Sequence, residues 1–352
     1  MNIFDLLSEL VELNGSDLHI KVGSQPYFRV DGNLKPVENS PVLDPQSVRV
    51  LIEPLLSEEQ KELFLVNKEL DLGYQFQDKA RFRINVFLAQ GSWAAALRLI
   101  PQRIKTIEEL SLPSDLNKLA EYNQGFVLVT GPTGEGKSST LAAVIDQINH
   151  TRAEHILTIE DPTEYVYQPD KSIISQREMN HDTQDWNQAL RAALREDPDI
   201  VLVGEMRDFE TIASAITVAE TGHLVFATLH TGSAAQTMDR IIDVFPAEQQ
   251  GQIRQQLANT ILAVVSQRLV PRQGGGRIPA VELMFANDAI RNLVREGKTF
   301  QIDNVLQTSG QQGMMLIETH FTHLIQQGLV SRETAMRHAF RPNEMMRLLG
   351  EG

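Results

Sequence analysis

Two hydrophobic periodicities divide this chain. Over residues 1–13, Ile3, Leu6, Leu7, Leu10 and Val11 recur at three- and four-residue intervals, which predicts an amphipathic helix ending near Asn14-Gly15. Residues 16–22 alternate as a strand, and Tyr27-Phe28-Arg29-Val30 before Asp31-Gly32 reads as a strand entering a hairpin turn. Two helical stretches, 45–57 and 58–66, follow, and strand patterning resumes at 72–76, 80–89 and 94–100. Residues 1–100 thus predict a small α+β domain. Residues 101–122, with Pro113 and several charges, read as a linker whose 116–122 portion is helical.

The pattern then changes to short apolar runs alternating with helices, the signature of a parallel sheet covered on both faces. Candidate strands are 126–130, 155–160, 200–204 and 224–229; helices are expected near 137–149, 183–196 and 208–221. Beyond residue 231 the pattern predicts helices at 233–242 and 246–268, a short β piece at 278–285 and a terminal helical group over 288–349. Residues 123–352 therefore read as one α/β domain with a helical C-terminal region. In open α/β sheets ligands bind at the carboxyl ends of strands. The polar motifs of this half fall at such ends.

Composition narrows the class. The 352 residues are 42% hydrophobic, enough for two packed cores. No window has the length of uncharged apolar residues needed to span a bilayer, and Met1-Asn2-Ile3-Phe4-Asp5 lacks the basic start of a secretory signal. The absence of cysteine excludes disulfides, thiol catalysis and cysteine-ligated zinc, and suits a reducing compartment. A formal net charge of −14 argues against a broad grip on nucleic acid and weakens a helicase reading.

Gly131-Pro132-Thr133-Gly134-Glu135-Gly136-Lys137-Ser138 fits the phosphate-loop pattern G-x-x-x-x-G-K-[ST], with Ser139 continuing into a helix-forming run. Glycines let such a loop curl so that main-chain amides converge on phosphate oxygens, and the following helix adds its positive end. Lys137 is expected to reach the β/γ-phosphates of ATP, and the Ser138 hydroxyl to ligate Mg²⁺. Thr158-Ile159-Glu160-Asp161-Pro162-Thr163-Glu164 places three carboxylates at a strand end, suited to orienting water or holding metal through water. Ile200-Val201-Leu202-Val203-Gly204-Glu205 is a buried strand ending in an acid, the shape of a Walker B element, with Glu205 facing the phosphates. Asp199 begins that strand and reads as structural. His230 ends the next one, within reach of a γ-phosphate or a catalytic carboxylate; its spacing from His223 does not suit a zinc pair. Arg81 and Arg83 share a strand face and Arg98 lies on another strand; either they are ion-paired surface residues or they stabilise transition-state charge at a site completed across an interface.

Together these segments resemble one family, the hexameric ATPases of type II secretion and type IV pili, and within it the PilT group of pilus retraction motors. The likeness runs over nearly the whole chain. Besides the motifs above, it rests on Ser16-Asp17-Leu18-His19, Phe28-Arg29-Val30-Asp31-Gly32, Ala80-Arg81-Phe82-Arg83, Leu194-Arg195-Glu196-Asp197-Pro198-Asp199, Ala219-Glu220-Thr221-Gly222-His223 and Ala289-Ile290-Arg291-Asn292-Leu293-Val294-Arg295-Glu296. The resemblance implies a PAS-like N-terminal domain before a RecA-like ATPase domain, a ring of six, and nucleotide between the domains. It implies arginines reaching over from the N-terminal domain, at positions similar to Arg81 and Arg98 and, less directly, Arg83 and Arg195. Glu164 and Glu205, then Glu160, are the acids it assigns to water activation and Mg²⁺ handling. It further implies a cytoplasmic location at the pilus base, docking to an inner-membrane platform protein, indirect action on pilin and partnership with a PilU-like ATPase. Glu135 stands where many relatives have serine and is expected to project away from the phosphates. Pilus assembly and secretion relatives usually carry a four-cysteine zinc module and an extra N-terminal domain, so the cysteine-free sequence favours retraction. The alternatives are a PilU-like accessory motor, an assembly or secretion ATPase and a nucleotide-gated scaffold that does not hydrolyse ATP.

Overall fold

The computed structural model describes residues 1–13, 15–30, 32–77, 80–100 and 103–350. Asn14, Asp31 and Pro101, which marked a helix end, a turn and the start of the linker above, lie outside the described residues. Contacts divide the chain into two units. The first is Met1–Arg103 with Pro162–Val166; the second is Ile104–Asp161 with the chain from Tyr167 onward.

The first unit begins with α1 (Ile3–Glu12), capped by the Asn2 side chain, which accepts from the Phe4 amide at 3.1 Å. Its buried stripe is Ile3, Leu6, Leu7 and Leu10, as the periodicity predicts. There follow β1 (Asp17–Lys21), β2 (Tyr27–Val30), β3 (Asn33–Pro36), α2 (Pro45–Ile52), α3 (Glu58–Asn67), β4 (Glu69–Phe76), β5 (Ala80–Ala89) and β6 (Ser92–Ile100). The six strands form one sheet in the order β3-β2-β1-β6-β5-β4, all neighbours antiparallel. Strand β5 alternates cleanly, with Phe82, Ile84 and Val86 buried between half-buried Arg81, Arg83 and Asn85. Those apolar side chains pack with the α1 stripe, Leu18, Ile20, Phe28 and Leu97, each contributing roughly 1.5–3 kcal/mol by burial.

In the second unit a 3₁₀ turn, Ser114–Glu121, leads to β7 (Gly125–Thr130), α4 (Lys137–Thr151), β8 (His155–Glu160), β9 (Ile173–Glu178), α5 (Trp186–Ala193), β10 (Ile200–Val203), α6 (Phe209–Glu220) and β11 (Leu224–Leu229). Helices α7 (Ala234–Asp243) and α8 (Ala247–Thr260) precede β12 (Ile261–Pro271) and β13 (Arg277–Phe285). The chain ends in α9 (Asp288–Glu296), α10 (Ile302–Thr308), α11 (Ile317–Gln326), α12 (Arg332–His338) and α13 (Pro342–Leu349). The sheet order is β13-β12-β7-β11-β10-β8-β9, parallel except for the antiparallel edge strand β13. Every residue of β7, β10 and β11 is buried, as strands covered on both faces require. This is the mixed α/β architecture, parallel-centred and preceded by an α+β unit, that the sequence predicts.

Three features differ from the sequence pattern. Residues 261–268, expected to extend a helix, form β12 beside β7. Ile261-Leu262-Ala263-Val264-Val265 is a continuous apolar run, which periodicity alone cannot assign; its β-branched content fits a buried strand. Edge strand β9 is mostly polar and gave no apolar signal. Residues 104–122 pack into the second unit through buried Ile107, Leu112, Leu116 and Leu119. Arg152 at the end of α4 pins them, donating to the Ala120 and Tyr122 carbonyls at 2.8 and 2.5 Å.

Candidate functional site

Parallel strands bring their carboxyl ends to one edge of the sheet, and register fixes what stands there. The Gly131 amide donates to the Leu229 carbonyl at 3.2 Å, setting the start of the loop beside His230. The Met206 amide donates to the Thr228 carbonyl at 3.1 Å, and the Gly204 amide to Ile159 at 2.8 Å. Loop 131–138, His230, Glu205 and Glu160 therefore line the edge in the order of β7, β11, β10 and β8.

The loop's backbone explains its glycines. Gly134 and Gly136 are left-handed, both at φ 82°, and Gly131 has φ 143°. A Cβ on Gly131 would come 2.4 Å from the Gln267 carbonyl oxygen, because β12 presses against the loop here. Helix α4 starts at Lys137 with no side-chain cap and no acid in its first turn. No side chain caps its N-terminal amides, and a helix start of this kind suits an anion. Lys137 is buried, and its ammonium donates to the Gly131 and Pro132 carbonyls at 2.7 and 2.9 Å. These contacts hold the cation over the loop. An uncapped helix start, a buried lysine at its mouth and the adjacent Ser138 and Ser139 suit a magnesium–polyphosphate. No group of three or more His, Asp or Glu that could hold a metal exists among the described residues, so a metal here would rely on Ser138, ligand oxygens and water.

The Glu135 side chain turns to β12. Its carboxylate accepts from the Leu269 amide of β12 and lies 3.6 Å from Arg268 Nη1. Gln267, also on β12, donates to the Glu135 carbonyl at 2.6 Å and accepts from Thr140 Oγ1 at 2.7 Å, tying loop to helix. Thr130 and Ser266 share a hydroxyl hydrogen bond at 2.9 Å. These β12 contacts were invisible while 261–268 read as helix; the β-branched run was the available signal.

Glu160 is buried at the end of β8 and accepts from Thr158 Oγ1 at 2.8 Å. Gly204 is the close approach that Walker B geometry needs: a Cβ there would stand 3.2 Å from the Glu160 Cα. Glu205 accepts from His230 Nε2 at 2.7 Å and from Arg207 Nη2 at 2.8 Å. Burial alone would push the Glu205 carboxyl up. The Arg207 hydrogen bond and charge, with His230 beside it, outweigh burial and hold it below the usual carboxylate range. Of the two roles open to His230, the structure supplies the contact with a carboxylate. The sequence singled out neither Arg207 as a partner of Glu205 nor Gln267. Asp199 is structural as expected, accepting from the His155 amide at 2.8 Å.

Glu164, Arg81 and Arg98 fall in the first unit, Glu164 within the segment Pro162–Val166 that groups there. Arg81 lies on β5 opposite Gln75 and Ile100. Arg98, on β6, donates through Nε to buried Asp17 at 2.9 Å and is itself 69% exposed. Its outer guanidinium edge is thus presented to solvent from an anchored stem. Arg83 pairs loosely with Asp71 at 3.9 Å.

Comparison with known proteins places these features in a family. The model of the family described as type II/IV secretion system protein matches residues 2–341. The type IV pilus retraction ATPase PilT of Pseudomonas aeruginosa is 46% identical over 97% of this chain and 99% of its own length. PilU of the same organism, a type IV pilus ATPase, is 37% identical over 100% of this chain and 92% of its own. A crystal structure of the pilus retraction motor PilT with bound ADP superposes with a TM-score of 0.92 at 44% identity, covering 99% of both chains. The chain belongs to the type II/IV secretion system protein family, and its likeness to PilT spans nearly every residue of both.

Proposed function

We propose that this chain is an ATP-hydrolysing motor that powers type IV pilus retraction as a homohexamer. The observation that carries the reading is the uncapped start of α4 with buried Lys137, set on the same sheet edge as an ionised Glu205 held by His230 and Arg207. Lys137 exchanges its two carbonyl contacts for the β- and γ-phosphates of ATP, and loop amides 131–138 with Ser139 wrap the chain of phosphates. Ser138, and Glu205 through water, would hold Mg²⁺, which would supply charge to offset that of the phosphates. Glu205 and Glu164, then Glu160, orient and deprotonate the attacking water; His230 reports on Glu205 to the helices that follow. Arg81 and Arg98 supply positive charge from the first unit.

Cycles of ATP binding and hydrolysis deform the ring and drive pilin removal through an inner-membrane platform protein. The motor works in the cytoplasm, peripherally at the pilus base, with a PilU-like ATPase as accessory. No helix among the described residues is long and apolar enough to cross a membrane, which is compatible with that placement. The higher identity to PilT than to PilU favours the principal motor over the accessory one. A deletion strain scored for twitching and surface piliation tests the reading. Hyperpiliated, non-motile cells are expected; bald cells would assign the chain to assembly, and normal motility to neither role.

A further inference from the structure

An acid inside a phosphate-binding loop needs a physical explanation. Each pair of like unit charges about 8 Å apart, at an effective dielectric near 20, weakens association roughly thirtyfold. Glu135 stands in the loop between the two left-handed glycines, where a free carboxylate would meet that repulsion. Strand β12 takes the carboxylate away from the ligand side. The Leu269 amide donates to Oε2, Arg268 Nη1 stands 3.6 Å from Oε1, and Gln267 Nε2 donates to the Glu135 carbonyl at 2.6 Å.

Arg268 itself is held for this purpose. Its guanidinium carbon lies 5.4 Å from the centre of the Phe340 ring. Its buried Nε has no hydrogen-bond partner among the described residues, so hydrogen bonding of the stem does not account for its burial. Glu135 is its ion-pair partner.

We infer that Arg268 is a positioning residue that holds the Glu135 carboxylate against β12 and balances its charge, so that nucleotide binds a loop containing an acid. This rests on reading loop 131–138 as the nucleotide site.

Mg-ADP affinity of the full chain, measured calorimetrically, tests it. Arg268→Gln removes the balancing charge while the Leu269 amide still holds Oε2, and weakens ADP about tenfold or more, whereas Arg268→Lys stays within about threefold of the parent. Glu135→Gln keeps an acceptor for the Leu269 amide but leaves Arg268 unopposed, and binds ADP more tightly than the parent. Arg268→Gln with Glu135→Gln returns to within about threefold of the parent, because the acid that did the harm is gone. Parental affinity in Arg268→Gln, or a double variant as weak as that single, overturns the inference; in the second case Arg268 acts through packing on Phe340. Should Arg268→Gln fail to fold, Glu135→Gln decides alone, and affinity equal to or below the parent overturns it. Parental affinity in Lys137→Ala would instead refute the loop reading itself, whatever the Arg268 variants do.

Discussion

Glu205 concentrates the chemistry at the scale of single residues. Its two oxygens are occupied by His230 and Arg207, groups that favour the ionised form and offset the cost of burial. Because its folded carboxyl titrates below the unfolded one, these contacts stabilise the fold above the unfolded carboxyl's titration and are lost as pH falls through the folded one. Near neutrality Glu205 is therefore a carboxylate. Glu205→Gln should lower phosphate release from Mg-ATP about 10²–10⁴-fold while leaving ATP affinity close to parental. Turnover by Glu205→Gln at the parental rate would remove that residue from catalysis.

At the scale of elements, the C-terminal helices are joined to the sheet by buried polar groups. Arg341, just before α13, bonds Asp303 of α10 through two nitrogens, both at 2.6 Å. The same guanidinium reaches Glu282 of β13 at 2.8 Å and Glu318 of α11 at 3.0 Å, both fully buried. Burial pushes the Glu282 carboxyl up despite this partner. Arg341→Met strands those acids without a cation and should cost about 3–5 kcal/mol, read as a lowered denaturant midpoint; an unchanged midpoint would contradict it. A second joint is pH-dependent. His320 of α11 accepts from the Val281 amide at 2.9 Å, and burial pushes its imidazole down to about 4 from an ordinary 6.5. The unfolded chain takes up that proton first, so stability falls as pH drops from 6.5 to about 4, by roughly 3 kcal/mol at most. Thermal unfolding across that window should show the slope, and His320→Gln should flatten it.

The same scale shows what was legible in the sequence. Loop 131–138 was plain because its glycine spacing, lysine and flanking strand and helix all answer to one local need, and α1 and β5 were plain from period alone. Strand β12 was not: an apolar run with no polar alternation fits a buried helix as well as a buried strand, and only pairing with β7 decides. With β12 went Gln267 and Arg268, whose roles depend on a neighbour more than 130 residues away in sequence. His230 was visible at its strand end, but its contact with Glu205 depends on the register of β10 and β11.

For the whole molecule, the two units are crossed by the chain at 103/104 and again on either side of Pro162–Val166. The Asp-Pro motif of the sequence thus supplies Glu160 to one unit and Glu164 to the other. A ring of six is expected in solution, so light scattering with Mg-ATP should give about six times the 39.5 kDa chain mass. A monomer at every nucleotide state would contradict the ring.

Steady-state phosphate release from Mg-ATP by the purified, assembled chain, run beside Lys137→Ala, decides whether loop 131–138 serves ATP turnover. Sustained release by the parent is expected, with none above background from Lys137→Ala. Equal release from both, or none from a parent that binds ATP, would contradict it.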